Sequence, residues 1–273
     1  MESAGGEVTL KRALGYLVRP MNREILILCV LATLLGVVLG QLGLFDLTKL
    51  SKGAVNLTIF AQGLVPPDLS ILSLASKALL ETAQMAFAGT LLGFFLSLPL
   101  GLLAARNLFP LPAVLIARFL SGVVRAVPSL LWALILVVVL GLGPLAGTIA
   151  LAFYTIGYLA KLYAETFEGV DPEVVEAVRG VGAGRWHLAR YVIWPECANT
   201  VLSQLLFMLE YNIRASTVLG LVGAGGIGFY LSIYLATLNY HRVATLLLLI
   251  IGVVFLMDWF SSWVRGRYLL AEK

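Results

Sequence analysis

The sequence predicts an all-α, polytopic membrane protein with about six transmembrane helices, and three observations carry that prediction. Of its 273 residues, 60% are hydrophobic and only 12% are charged, whereas a water-soluble domain covers its surface with roughly a quarter charged residues. Mean hydropathy is +0.96. The apolar residues are gathered into long runs, at 25–42, 130–142 and 246–257 with its flanks, of the kind that crosses a bilayer as a helix.

A span needs about 20 residues at 1.5 Å each to cross roughly 30 Å of hydrocarbon. Six segments meet or approach this: 24–43; 77–104, broken late by Pro99 and Gly101; 119–142, kinked early by Pro128; 145–166; 197–221; and 243–263. Between the first two lie Asp46, Lys49, Lys52, Asn56 and the turn Pro66-Pro67-Asp68, which predict a short surface or interfacial helix and then a turn. Lys11, Arg12, Arg19 and Arg23 precede the first apolar run as in a signal peptide. That run is too long for a signal core and no small-x-small cleavage site clearly follows, so it reads as an uncleaved first span. The expected division is an N-terminal segment 1–23, one membrane domain 24–265, and a tail 266–273.

The net charge of +4 does not point to nucleic acid, because the charges sit between the apolar runs. With the N-terminus in the cytoplasm and six alternating spans, thirteen of the nineteen Lys and Arg fall inside and three outside. That is the positive-inside pattern, and it predicts that both termini and the polar insertion 167–196 are cytoplasmic. Cys29 and Cys197 are far apart, make no disulfide framework or zinc site, and read as inert packing residues. The only histidines, His187 and His241, are predicted on opposite sides of the membrane. No HExxH or paired-Asp motif appears, so the chain does not read as an enzyme.

The insertion 167–196 is the longest polar stretch between spans. Asp171 is a fitting N-cap and Pro172 a fitting first helical residue. Glu173 and Glu176 lie in the early turns, where the helix dipole favours acids. Gly180, Gly182 and Gly184 then stop or bend the helix, and a second short helical turn from Arg185 to Tyr191 ends at Pro195. Two short helices with a glycine corner suit docking into a partner's groove. An interfacial loop without a partner has the same shape.

The residues of this insertion resemble the docking motif of ABC importer permeases: EAA, three residues, G, nine residues, I, one residue, LP. Glu176, Ala177 and Val178 stand for the EAA, Gly182 for the glycine, Val192 for the isoleucine, Trp194 for the leucine, and Pro195 is the proline. Val178, Val192 and Trp194 depart from the consensus while the spacing is complete. The resemblance implies that Glu176, Ala177, Gly182, Val192 and Pro195, within a coupling segment 171–195, dock into an ATPase subunit.

The fifth predicted span carries Glu210, Asn212 and Arg214. Two charges at a helix centre cost about 5–7 kcal/mol on insertion scales, and a dozen strong apolar residues return roughly 4–7. Alone the span is marginal, so these charges are expected to face protein or a wet cavity. At 100° per residue Asn199, Ser203, Glu210, Arg214 and Thr217 form one stripe, with Asn212 and Ser216 opposite. One reading is a translocation path in which Arg214 attracts an anion and Glu210 orients it, with Ser203, Asn212 and Thr217 as further path candidates. The other is a structural Glu210–Arg214 pair buried between helices. Arg118, Ser121 and Arg125 share another helical face and read either as snorkelling anchors or as an anion-attracting inner vestibule. Residues 223–228 match the dinucleotide fingerprint as a string, but they follow a membrane helix with no βαβ unit. Those glycines are expected to allow tight helix packing or irregular backbone.

The run 210–228, E-x-N-x-R ahead of VGAGGIG, resembles permeases of the phosphonate and phosphite transport type in particular, as do the Pro-Pro-Asp turn at 66–68 and Gly141-Leu142-Gly143-Pro144. Methionine permeases carry a close version of VGAGGIG. The resemblance extends from about Leu80 to Arg265. It implies a type I ABC importer permease fold in the bacterial inner membrane and a second permease subunit forming a homodimer. It also implies a cytoplasmic pair of ATPase subunits that hold the ATP and Mg, an extracytoplasmic binding protein, and no cofactor on this chain. The cargo it implies is a small organophosphorus anion imported by alternating access, the alternative being methionine or another small solute.

Overall fold

A computed structural model describes residues 4–269, with side chains for residues 23–267. The expected tail 266–273 and N-terminal segment 1–23 therefore lie partly outside the described residues, as do the side chains of Lys11, Arg12 and Arg19. Every regular element among the described residues is helical. The chain forms two compact units, Met1–Gln62 and Gly63–Lys273.

The first unit holds α1 (Ala4–Gln41) and all but the last residue of α2 (Leu47–Gly63). The apolar stretch Arg23–Gln41 of α1 is long enough to span, and Cys29 on it is exposed where a packed residue was expected. Asp46 caps α2, its carboxylate accepting the N–H groups of Thr48 and Lys49 at 3.1 and 3.2 Å.

The second unit is a helical bundle. A turn at Leu69–Ile71 leads into α3 (Leu72–Leu103), followed by α4 (Leu111–Ala126), α5 (Ser129–Leu140), α6 (Pro144–Glu168), α7 (Pro172–Gly180), α8 (Arg185–Leu188), α9 (Trp194–Gly220), α10 (Gly226–Ala236) and α11 (Tyr240–Val264). Five helices are long and apolar enough to cross a membrane, and the bent pair α4–α5 makes a sixth if it counts as one span. The six predicted spans correspond to α1, α3, α4–α5, α6, α9 and α11.

Two prolines act differently from expectation. Pro128 breaks its span instead of kinking it: α4 and α5 meet at 82°. Val127 before it is extended, at φ −91° and ψ 119°, as the steric demand of a following proline requires. The carbonyl of Val124 left at the break accepts the indole N–H of Trp132 at 3.1 Å. Pro99, expected to break the second span, lies inside a continuous α3. Neighbouring helices can hold a proline-bearing membrane helix together, and α3 is held along its length by α6. Gly89, Gly93, Ser97 and Gly101 form a small-residue ridge on it. A Cβ at Gly89 would lie 2.8 Å from that of Leu151, and one at Gly101 2.7 Å from that of Tyr163. The two backbones can approach only because these positions are small.

At the opposite end of the bundle from α7, the loop before α3 is stitched to the start of α11. The Asp68 N–H donates to the His241 carbonyl at 3.0 Å, Thr245 Oγ1 donates to the Asp68 carbonyl at 2.8 Å, and Arg242 Nε lies 3.1 Å from the Asp68 carboxylate. Hydrogen bonds from Ser70, then from Arg242, hold the Asp68 carboxyl below the usual carboxylate range. A lowered folded-state pKa gives stability that is complete above about pH 4 and fades as the pH falls through the lowered value. Protection of the amides of 68–70 against hydrogen exchange, taken relative to the intrinsic rate, is therefore expected to fall on acidification below about pH 4, and Asp68→Asn is expected to show the lower protection already at neutral pH and to lose that acid step.

Candidate functional site

The polar insertion folds as two short helices around a glycine corner. The Asp171 carboxylate accepts the Glu173 N–H at 2.9 Å, with Pro172 in the first turn of α7, as the cap and dipole arguments require. Val181 to Gly184 form the corner, in which Gly182 takes φ +86°, a left-handed conformation that favours glycine. From Arg185 the chain does not stop at Pro195, as expected, but runs on into α9. A π-helical segment, Ala189–Ile193, joins α8 to α9, and the Trp194 N–H reaches back to the Ala189 carbonyl. The proline has no N–H to place in the ladder, and the widened turn absorbs that loss at the head of α9.

One face of this insertion is fixed to the bundle. Val170, Val175, Leu188, Ala189 and Ile193 are buried with Tyr163 and Phe167 of α6, and Val178 and Val192 pack against that core. The loop 104–110 supports it: Arg179 Nη2 donates to the Asn107 carbonyl, and Trp186 meets the Phe109 ring edge-on at 5.9 Å. The other face is open. Glu176, Ala177, Gly182 and Pro195 are exposed, as are Val181, Trp186 and Tyr191. Of the motif residues, Glu176 and Ala177 face outward while Val178 and Val192 face the bundle. Arg106, Arg118, Lys161, Arg179, Arg185 and Arg190, six of the cations assigned to one side by the charge pattern, lie on loops or within about two turns of helix ends at this end of the bundle.

The polar residues of α9 are partnered in an unforeseen way. Glu210 and Arg214 do not pair with each other. Glu210 is buried and forms an ion pair with Arg265 at 2.9 Å, without the alignment of a directed hydrogen bond. Arg214 pairs with Asp258 at 2.9 Å, both side chains nearly half exposed. Both partners come from α11 or the turn after it, so Glu210 lies level with the end of the last span. Asn212 is fully buried, its amide donating to Thr90 Oγ1 of α3 at 2.7 Å and to Thr155 Oγ1 of α6 at 2.8 Å. Its amide thus serves the packing of three helices, α3, α6 and α9. Thr217 donates to the Arg214 carbonyl at 2.7 Å, and Ser203 is half-buried.

The glycine string forms a turn between α9 and α10, an 11-residue helix that sequence periodicity did not indicate. Gly223, Gly225 and Gly226 have φ of +90°, +86° and +69°. The first N–H groups of α10 are received by α3: Gly226 N–H donates to Glu81 Oε1 at 2.9 Å and Ile227 N–H to Thr82 Oγ1 at 2.8 Å. Glu81, Thr82, Asp258 and Arg265 are the residues the sequence reading missed. Their partners lie far along the chain, and no local spacing marks them.

Comparison with known proteins places this architecture. The family model for the binding-protein-dependent transport system inner membrane component matches residues 97–269. A phosphate-import permease protein of Mycolicibacterium smegmatis is 38% identical over 240 residues, covering 85% of this chain and 45% of that protein. A phosphite transport system permease protein of Stutzerimonas stutzeri is 38% identical over 241 residues, covering 87% and 88%. This chain thus spans under half of the first relative and most of the second. A crystal form of an inward-facing methionine ABC transporter is similar in fold, with a TM-score of 0.63 at 21% identity over 72% of this chain and 97% of that one. A bundle of membrane-spanning helices and a family match over most of the second unit agree: the chain belongs to the family of binding-protein-dependent transport system inner membrane components, the membrane permeases of ABC importers.

Proposed function

We propose that this chain is the membrane-spanning subunit of an ATP-driven importer that carries a small phosphorus oxyanion, such as phosphonate or phosphite, delivered by a binding protein. The observation that carries the reading is the insertion 171–195. Its inner face is built into the bundle, its outer face is open, and it continues as one helix into α9, so a push on the corner reaches Glu210 and Arg214. The reading has the insertion, both termini and the ATPase pair in the cytoplasm of a bacterial cell and two copies of the chain side by side. The ATP and Mg reside on the ATPase. Phosphorus-containing cargo draws its support from the phosphate and phosphite relatives. The likeness to the methionine transporter, at 21% identity, concerns fold alone.

Proteoliposomes holding the permease, its ATPase and its binding protein are expected to accumulate phosphite or a phosphonate on ATP addition. Accumulation of methionine instead would overturn the cargo. Arg214→Gln is expected to lower uptake by about tenfold, a modest loss of electrostatic focusing, while ATPase co-purification is unchanged. Because Asp258 offsets the Arg214 charge, Asp258→Asn should keep uptake. Parent-level uptake by Arg214→Gln would remove Arg214 from the path.

A further inference from the structure

A cleft of about 170 Å³ lies between α4 and α6, lined by Arg118, Ser121, Arg125, Lys161 and Glu165 with two alanines. Arg118, Ser121 and Arg125 are three and four residues apart and share one face of α4, and Lys161 and Glu165 are one turn apart on α6. The two helices touch at Gly157, where a Cβ would lie 2.8 Å from the Arg125 nitrogen and 3.0 Å from the Ser121 carbonyl oxygen. Arg125 therefore projects from the contact point itself, at the head of the cleft.

Three cations meet one carboxylate in this lining. Lys161 has Glu165 at 3.3 Å, and Arg118 has Glu168, outside the lining, at 2.6 Å. Among the described residues Arg125 forms no ion pair with a carboxylate. We propose that the cleft is a binding site for a tetrahedral phosphorus oxyanion, with Arg125 and Lys161 as direct contacts and Arg118 as a third contact that Glu168 can withhold. The proposal rests on the reading that the chain carries such anions, and it adds a site to that reading. A guanidinium fork matches two oxygens of a tetrahedral anion and an ammonium supplies a point charge. The exposed Lys161–Glu165 pair is weak and exchanges for a stronger anion.

The surroundings give the cleft a direction. Tyr154, Tyr158, Lys161 and Glu165 recur on one stripe of α6. Tyr154 stacks on Tyr211 at 5.0 Å and Tyr158 on Phe207 at 6.3 Å, so the stripe leads from the cleft along α9 toward Arg214, three residues beyond Tyr211. At the other end, Glu168 also accepts the Arg106 N–H at 2.6 Å and stands three residues before the cap of α7. Movement of the docking corner that draws Glu168 away frees Arg118 Nη2 for the cleft, while Nε stays on the Ala104 carbonyl at 3.0 Å. Anion occupancy and docking are then linked, each favouring the other.

The test uses the full-length chain in nanodiscs of phosphatidylcholine, titrated with inorganic phosphate and followed by phosphorus-31 relaxation. Saturable binding is expected, weakened by about tenfold in Arg125→Gln and in Lys161→Gln and tightened in Glu165→Gln. The last result separates a site from a folding defect, because damage to the bundle only weakens binding. Repeating the titration with phosphatidylglycerol in the discs distinguishes the sources of the ligand. Unchanged phosphate affinity assigns the cleft to the free oxyanion, and competition that Arg125→Gln abolishes assigns it to a lipid headgroup. Variants that titrate as the parent does, or no saturable binding in either lipid, would overturn the site. ATP-driven phosphite uptake alongside that failure leaves the transport reading standing, and Arg125-dependent phosphate binding without any uptake does the reverse.

Discussion

Replacing Gly228 with alanine is expected to unseat α10 and to lower the melting temperature of the purified chain by about 10 °C. At this crossing the N-terminal turn of α10 lies on the last turn of α9 with backbone against backbone. A Cβ on Gly228 would enter the van der Waals shell of the Thr217 carbonyl oxygen and lie 3.0 Å from the Gly220 Cα. The approach is mutual: a Cβ on Gly220 would lie 2.6 Å from the Gly225 carbonyl oxygen and from the Gly228 Cα. No side chain can rotate aside, so the turn must move. Overpacking of this kind costs about 1–3 kcal/mol. Movement of the turn also takes the Gly226 and Ile227 N–H groups from Glu81 and Thr82, and each buried donor left unpaired costs roughly 1–3 kcal/mol more. Gly252 in α11 has nothing within 4 Å of a built Cβ, and Gly252→Ala is the control, expected to melt at or slightly above the parent temperature. If both variants melt within about 2 °C of the parent, the crossing is not close-packed.

This crossing also shows where the sequence stops being readable. The spans were legible because a membrane helix is a long apolar run. The corner was legible because Asp171, Pro172 and Gly182 act through their own backbone neighbours. The string 223–228 has no such local meaning. Three of its glycines carry positive φ, and Gly228 is required by what lies opposite it, the Thr217 carbonyl and Gly220. The partners of the α9 charges were not legible for the same reason. Glu210 and Arg214 are four apart and invite pairing on one helix, yet Arg214 finds Asp258, 44 positions on, and Glu210 finds Arg265. Five of the six predicted spans are single long helices and the other is the bent pair α4–α5, whereas every pairing between spans had to be seen. Asn212 is the plainest case. A polar residue in an apolar helix can face a path or another helix, and only three-dimensional structure shows that its amide meets Thr90 and Thr155.

The corner supplies the second large effect, and one of a different kind. Gly182→Val is expected to leave insertion unchanged, to lower the melting temperature by only about 2–8 °C, and to abolish most ATP-driven uptake. Nothing lies within 4 Å of a Cβ built on Gly182, so the substitution meets no steric obstacle. Its cost lies in the backbone, because a β-branched residue at φ +86° is strained by about 1–2 kcal/mol or more. The chain can relieve that strain by turning α7 relative to α8. The two sides of the corner resist unequally: α8 and the π-helical segment are anchored through buried Leu188, Ala189 and Ile193, whereas α7 is held by Val175, half-buried Val178 and the Arg179–Asn107 contact. Strain therefore re-aims α7, moving Glu176 and Ala177 out of register with Trp186 and Tyr191 on the open face. A strain of about 1–2 kcal/mol is a factor of about 5–30 in the population of the docking-competent geometry, and uptake should fall by a similar factor in proteoliposomes with excess ATPase. Gly182→Asn is expected to recover much of the loss, because asparagine tolerates the left-handed region. That rescue separates backbone geometry from the bare absence of a side chain. Uptake by Gly182→Val at the parent rate would mean that the corner does not set how the permease meets its ATPase.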